Sequence, residues 1–245
     1  MKKSTQGLVI RQNKTGEADR VITILTPEGV LTAYARGSLK PGGKLTSSTA
    51  MLGYSEFELA EGKNMYTVTD AQSIMRFARL SMDMTRYSLA CYFCELARLL
   101  APADESSAEF LSLTLNSLYL LSETDKSCSE IKLTYELRAM SEAGYRPDIE
   151  SCRECGTDEQ QDFFFDVAEG NILCRKCAER TGKNVNFPCG ALSAARYILN
   201  SPLSKAFSFK LGGQSLTALE RVSEEYVRRW VEHPLSTLEF YKQLL

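Results

Sequence analysis

Arg20-Val-Ile-Thr-Ile-Leu-Thr-Pro-Glu-Gly-Val-Leu-Thr-Ala-Tyr-Ala-Arg36 reads as two strands folded about a tight turn. β-Branched residues fill the first arm, where stiff side chains suit a pleated surface. Pro27-Glu-Gly29 punctuates the run, so Arg20–Thr26 and Val30–Arg36 are separate strands. Upstream, Gly7-Leu-Val-Ile-Arg-Gln12 is a short apolar strand. Downstream, Tyr54-Ser-Glu-Phe-Glu-Leu-Ala60 alternates, with Phe57 and Leu59 on one face and Glu56 and Glu58 on the other. Glu61-Gly-Lys-Asn64 signals a hairpin, and Met65-Tyr-Thr-Val-Thr69 is the fifth strand. Five short strands within about seventy residues, with a long loop after the third, suit a small closed barrel. The OB-fold is the five-stranded candidate. An SH3-like barrel is the alternative, and periodicity does not separate them.

From Asp83 the pattern turns helical. Met84, Tyr87, Cys91, Cys94 and Leu96 recur at two to four residues, through Leu100, and Pro102 ends the run. Ser107–Leu121 is a second helix. Ser129–Ala143 is a third, with Ser129 as N-cap and Gly144 as stop. Further helices are expected at Leu192–Asn200, Thr217–Val231 and Leu235–Leu245. The expected class is α+β: an OB-fold barrel over residues 1–80, then a mainly helical domain over 81–245. A four-cysteine module is inserted in that domain at about 150–180.

The module is Cys152-Arg-Glu-Cys155, eighteen residues, then Cys174-Arg-Lys-Cys177. Two C-x-x-C turns offer four thiolates to one tetrahedral ion, and this spacing points to one structural zinc. Four sulfur ligands leave no position for water or substrate, so the site is structural rather than catalytic. Phe163–Leu173 forms the hairpin between the pairs. Cys91 and Cys94 share the spacing but lie in an apolar helical pattern, where core packing outweighs a redox role. Cys128 and Cys189 stand alone.

The 245 residues, 44% hydrophobic, can form one large domain or a few small ones. No apolar run is long enough to span a membrane, and Met1-Lys-Lys-Ser-Thr-Gln6 does not open a secretory signal. A cytoplasmic protein is expected. The net charge of −2 does not itself suggest nucleic acid, but its distribution does. Residues 1–50 carry eight Lys/Arg against three acids, +5, which leaves 21 against 28, −7, elsewhere. Such asymmetry points to an anionic partner at the N-terminal end. Arg36-Gly-Ser-Leu-Lys-Pro-Gly-Gly-Lys44 pairs three cations with glycines that permit close approach to phosphate. Arg11, Lys14 and Arg20 are expected to join Arg36, Lys40 and Lys44 on one basic face. Tyr34 and Tyr54 could stack on bases, though core packing explains them equally.

Catalytic signatures are missing: no phosphate-binding loop, no nucleophile elbow and no His-Glu-x-x-His. His233, the single histidine, precedes Pro234 near a helix end. Asp104 and Glu105 follow Pro102 at a helix start, where acids favour the dipole, a reading that outweighs a two-metal nuclease site. A non-enzymatic protein is expected.

Several segments, in order, resemble the RecO family of bacterial DNA repair proteins. They are Gly7-Leu-Val-Ile-Arg11, Gly16-Glu-Ala-Asp-Arg20 and Gly29-Val-Leu-Thr-Ala-Tyr-Ala-Arg-Gly37. Glu136-Leu-Arg-Ala-Met-Ser-Glu-Ala-Gly-Tyr-Arg-Pro147, the four cysteines and Pro188-Cys-Gly-Ala-Leu-Ser-Ala-Ala-Arg-Tyr-Ile-Leu199 continue the match. The resemblance implies a recombination mediator that binds single- and double-stranded DNA and anneals complementary strands. It implies work with RecR and single-strand-binding protein, indirect action on RecA by helping it load, and a place at the nucleoid. It also implies that zinc is not essential to the activity. Two other readings stand beside it: a zinc-containing interaction adaptor that does not bind DNA, and a zinc enzyme acting on nucleic acid.

Overall fold

Strand β1 (Lys2–Thr15) begins five residues before the expected Gly7, because its polar start is held by a partner rather than by local pattern. It pairs antiparallel with β2 (Asp19–Thr26) through its second half and with β4 (Gly53–Ala60) through its first. Strand β3 (Gly29–Ala35) pairs antiparallel with β2, and β5 (Tyr66–Arg76) antiparallel with β4. A short parallel contact, Ala33 with Tyr66 and Tyr34 with Thr67, joins β3 to β5 and closes the barrel in the order β1-β2-β3-β5-β4. That Greek-key closure is the OB-fold arrangement and sets aside the SH3-like alternative. In a computed structural model of the chain, residues 2–103, 105–159 and 161–245 are described. Asp104 therefore lies outside the described residues.

Alternation fills the barrel. Ile22 and Ile24, Ala33 and Ala35, and Phe57 and Leu59 point inward, with Val9, Val68 and Ala71. Each large side chain buried there contributes roughly 1.5–3 kcal/mol. A Cβ on Gly7 would lie 2.3 Å from the Ile24 side chain, so glycine alone lets β1 cross at that point.

A 3-10 turn (Ala78–Met82) leads to α1 (Met84–Leu100), whose first turn is capped by the Asp83 carboxylate accepting the Arg86 N–H at 3.0 Å. Helix α2 spans Ala108–Glu123, later than expected, so Glu105 precedes it and Glu109 is its first-turn acid. Helix α3 (Cys128–Glu142) starts before Ser129; Ser127 occupies the cap, and Gly144 turns the chain at φ +86°. Then come β6 (Asp148–Cys152), β7 (Phe163–Asp166), β8 (Asn171–Cys174), α4 (Arg175–Arg180) and α5 (Cys189–Asn200). Helices α6 (Leu203–Ala206), α7 (Gly213–Val231) and α8 (Ser236–Lys242) complete the chain.

The strand-to-helix change follows Arg76, but compactness divides the chain elsewhere. One unit is Met1–Asp125 with Leu235–Leu245; the other is Lys126–Pro234. The first thus adds α1, α2 and α8 to the barrel. Glu95 on α1 accepts the Thr237 N–H at 3.2 Å and hydroxyl at 2.5 Å, fixing the start of α8. In the second unit α3 packs on α5 and α7, and β8 lies between parallel β6 and antiparallel β7. Lys132 and Glu136 on α3 are buried as an ion pair at 2.8 Å, and Lys132 also meets Glu224 on α7 at 3.2 Å. No helix among the described residues is long and apolar enough to cross a membrane.

Candidate metal centre and nucleic-acid interface

Strands β6 and β8 deliver one C-x-x-C turn each. Cys152 ends β6; its N–H donates to Thr157 O and its carbonyl accepts the Gly156 N–H, both at 2.8 Å. Gly156 takes φ +73°, which tightens this turn at no steric cost. The Arg153 N–H donates to Ile172 O at 3.0 Å, tying the turn to β8. Cys174 ends β8, and Cys177 lies in the first turn of α4. Cys152, Cys174 and Cys177 are buried and Cys155 is exposed.

The four sulfurs lie within 4.8 Å of one another, and those of Cys155 and Cys174 are 3.7 Å apart. A disulfide needs about 2.0 Å. A tetrahedron with metal–sulfur bonds of about 2.3 Å has edges of about 3.8 Å, so the cluster fits one metal ion. Burial pushes the Cys152 thiol up, but backbone hydrogen bonds from Cys174, Cys155 and Glu154 bring it to about 6. Burial and the adjoining thiols of Cys174 and Cys155 push Cys177 up to about 12 against the opposing Arg180. Thiols this close resist joint ionisation unless a cation sits among them. The Arg180 guanidinium donates to the Cys177 sulfur at 3.1 Å and offsets part of the negative charge of a thiolate set. Sequence reasoning missed Arg180; its position three residues after Cys177 on a helix was the available signal.

Cys91 and Cys94 are both within α1, Cys94 fully buried, and burial raises both thiols. They have the character of core cysteines, not of a reactive pair.

The β1–β2 turn and the long β3–β4 loop lie at the same barrel end, where Leu39 N–H donates to Ala18 O at 2.8 Å. Lys14 pairs in register with Arg20, and Arg20 with Ala35, so Lys14 and Arg20 lie at this end of β1 and β2, and Arg36 follows the last residue of β3 there. Arg11 is exposed on β1 beside a bulge that interrupts the register between Val9 and Arg11. Lys40 is exposed in the loop. Two of the six cations, Arg20 and Lys44, have partners. Arg20 is half-buried and donates to Thr46 O at 2.9 Å and Thr49 Oγ1 at 3.1 Å, which braces the loop. Lys44 forms an exposed ion pair with Asp70 on β5 at 2.8 Å. Tyr34 donates its hydroxyl to Asp19, and Tyr54 donates to Gln6 Oε1 at 2.9 Å; both rings are half-buried.

Asp19 was not foreseen. Its carboxylate accepts the Gly37 N–H at 2.6 Å as well as the Tyr34 hydroxyl. The Gly37 amide, then Tyr34, hold its pKa below the ordinary carboxylate value, with help from the charges of Arg36 and Lys40.

Residues 1–77 match the family described as Recombination protein O N terminal, and residues 81–239 match Recombination protein O C terminal. A DNA repair protein RecO of Acetivibrio thermocellus is 36% identical over 98% of this chain and 96% of its own length. That of Heliobacterium modesticaldum is 32% identical over 91% of this chain and 83% of its own. That of Symbiobacterium thermophilum is 27% identical over 98% and 97%.

Proposed function

Because this chain belongs to the RecO family, we propose that it is a DNA repair and recombination mediator whose barrel binds DNA through the end formed by the β1–β2 turn and the β3–β4 loop. The single observation that supports this placement is that Lys14, Arg36 and Lys40 all lie beside or in the turn and loop of that end, with Arg11 exposed further along β1. None of these four has an ion pair among the described residues. The binding is to phosphates and blind to base identity, so single- and double-stranded DNA are both ligands. Neutralising two strands at once lowers their mutual repulsion, and annealing of complementary strands follows. RecR and single-strand-binding protein are the protein partners in this reading, and RecA loading is the outcome. The chemistry is non-catalytic.

The ion held by Cys152, Cys155, Cys174 and Cys177 is one zinc. Soft thiolates in a tetrahedral set select it over hard cations, and with all four coordinated it has no open position for substrate. Its role is to hold β6, β8 and α4 together. Metal analysis of the purified chain should give one zinc per protein.

The functional test measures binding of single-stranded and duplex oligonucleotides by the full chain across a salt series, with annealing followed in parallel. Joint charge reversal, Arg36→Glu, Lys40→Glu and Lys44→Glu, should weaken binding to every sequence and flatten the salt dependence. Unchanged affinity at moderate salt would remove this loop from the interface. A wild-type chain that neither binds nor anneals at low salt would sink the reading.

A further inference from the structure

An acid in the middle of cations assigned to phosphate needs a reason. Asp19 opens β2 and pairs with Thr15 across the β1–β2 turn. Its Oδ1 accepts the Gly37 N–H and its Oδ2 the Tyr34 hydroxyl. Gly37, at φ +68°, is where the chain leaves β3 for the long loop. The loop then folds on itself: Lys40 N–H donates to Gly37 O at 3.1 Å, and Gly43 N–H donates to Lys40 O at 2.9 Å. Leu39 N–H reaches back to Ala18 O. The first residues of the loop therefore hang from Asp19 and its neighbour, and Arg36 and Lys40 flank the attachment.

Two roles are open to such a carboxylate, and they oppose each other. It could occupy the place of a phosphate and compete with DNA. Or it could fix the loop so that its cations are in position before DNA arrives, which lowers the ordering cost of binding. The contacts favour the second, because both carboxylate oxygens are engaged by the backbone and a ring of the scaffold rather than by the cations. We propose that Asp19 is a positioning residue for the phosphate-binding loop, holding Gly37 and Tyr34 so that Arg36 and Lys40 meet consecutive phosphates. This inference rests on the DNA reading above.

The test uses the full chain, a fluorescent oligodeoxythymidylate, a salt series and hydrogen exchange at the Gly37 amide. Asp19→Asn removes the charge but keeps both contacts, its carbonyl accepting from Gly37 and its amide donating to the Tyr34 oxygen. Asp19→Ala removes both. With two phosphate contacts out of register, at about 0.7 each on single strands, Asp19→Ala should lower the logarithmic salt slope by about 1.4. Its affinity should fall roughly tenfold, and Gly37 exchange should accelerate, although a negative charge has left a DNA face. Asp19→Asn should bind at least as tightly as wild type with an unchanged slope. Tyr34→Phe, which retains the Gly37 contact, should fall between and guards against a folding defect in Asp19→Ala. Tighter binding by Asp19→Ala would overturn the proposal in favour of a competing carboxylate. Equal weakening by Asp19→Asn and Asp19→Ala would overturn it too, since charge and not position would then matter. A wild-type chain that fails to bind at low salt would sink the DNA reading and this inference together.

Discussion

Arg20 distinguishes a brace from a phosphate ligand. Its guanidinium donates to Thr46 O and Thr49 Oγ1, across 26 and 29 residues of chain, and burial lowers its pKa from the ordinary value. Arg20→Ala deletes two charge-assisted hydrogen bonds and leaves the Thr46 carbonyl without that donor. Such bonds contribute roughly 1.5–3 kcal/mol each when buried. Arg20 is only half-buried, so a joint loss of about 2–4 kcal/mol is the reasonable figure. For a unit of this size that is a fall in melting temperature of roughly 6–15 °C. Arg20→Lys keeps the charge but not the planar fork, and should recover less than half of the stability. The assay is thermal unfolding without DNA, alongside oligonucleotide binding over a salt series. A brace predicts that both variants melt early and that DNA affinity falls with loop order. A phosphate ligand predicts unchanged melting, a salt slope lower by about 0.7 in Arg20→Ala, and restoration by Arg20→Lys. The second pattern would refute the structural argument.

Other outcomes follow from the second unit. Glu136→Ala leaves Lys132 buried with only Glu224 and should destabilise by about 3–5 kcal/mol in urea unfolding, whereas Lys132→Met with Glu136→Leu should regain most of it. Burial alone would depress the Lys132 pKa, but the charges of Glu136 and Glu224 outweigh it and raise the pKa above its ordinary value of 10.5. Its stabilisation is therefore complete below that value and lost as pH climbs through the raised one; wild-type stability should fall above pH 10.5 more steeply than that of the double variant. Stripping the proposed zinc, or Cys174→Ser, should speed hydrogen exchange across β6, β8 and α4 while salt-dependent DNA binding persists. At a thousandfold excess over its dissociation constant the ion contributes about 4 kcal/mol, which chelation followed by thermal unfolding should expose. Loss of DNA binding in a metal-free chain that is still folded would refute the placement of DNA binding in the first unit.

What was legible in the sequence was whatever rests on local pattern. Ile22 and Ile24, and Phe57 and Leu59, announce strands because alternation follows the pleat. Two C-x-x-C pairs announce a four-thiol cluster able to hold a metal because each turn places its own sulfurs. The polar start of β1 was illegible: Lys2-Lys-Ser-Thr-Gln6 is strand only because β4 pairs with it. The end of β5 at Arg76 is set in the same way by Gly53 and Tyr54. Barrel closure rests on Ala33 with Tyr66 and Tyr34 with Thr67, pairs that no period records. Helix α8 returns to α1 through Glu95 and Thr237, 142 residues apart. The N-terminal cations could be counted from sequence, but not the partners of Arg20 and Lys44, which are Thr46, Thr49 and Asp70.

Those partners bound the strength of the proposed interface. Six cations were expected to face DNA, but Arg20 is engaged in bracing and Lys44 in an ion pair with Asp70. Arg11, Lys14, Arg36 and Lys40 remain, and the chain outside residues 1–50 carries −7, which repels a polyanion rather than adding to its footprint. Four phosphate contacts on a single strand correspond to a salt slope of about −2.8. If Lys44 releases Asp70 to join them, the slope rises only to about −3.5, because an exposed pair holds with no more than about 1 kcal/mol. A measured slope beyond about −5 would require contacts that this barrel end does not possess, and would mean that a second basic surface shares the DNA. A slope near −3 that collapses on joint neutralisation of Arg36 and Lys40 would confine the DNA to the loop that Asp19 and Arg20 hold in place.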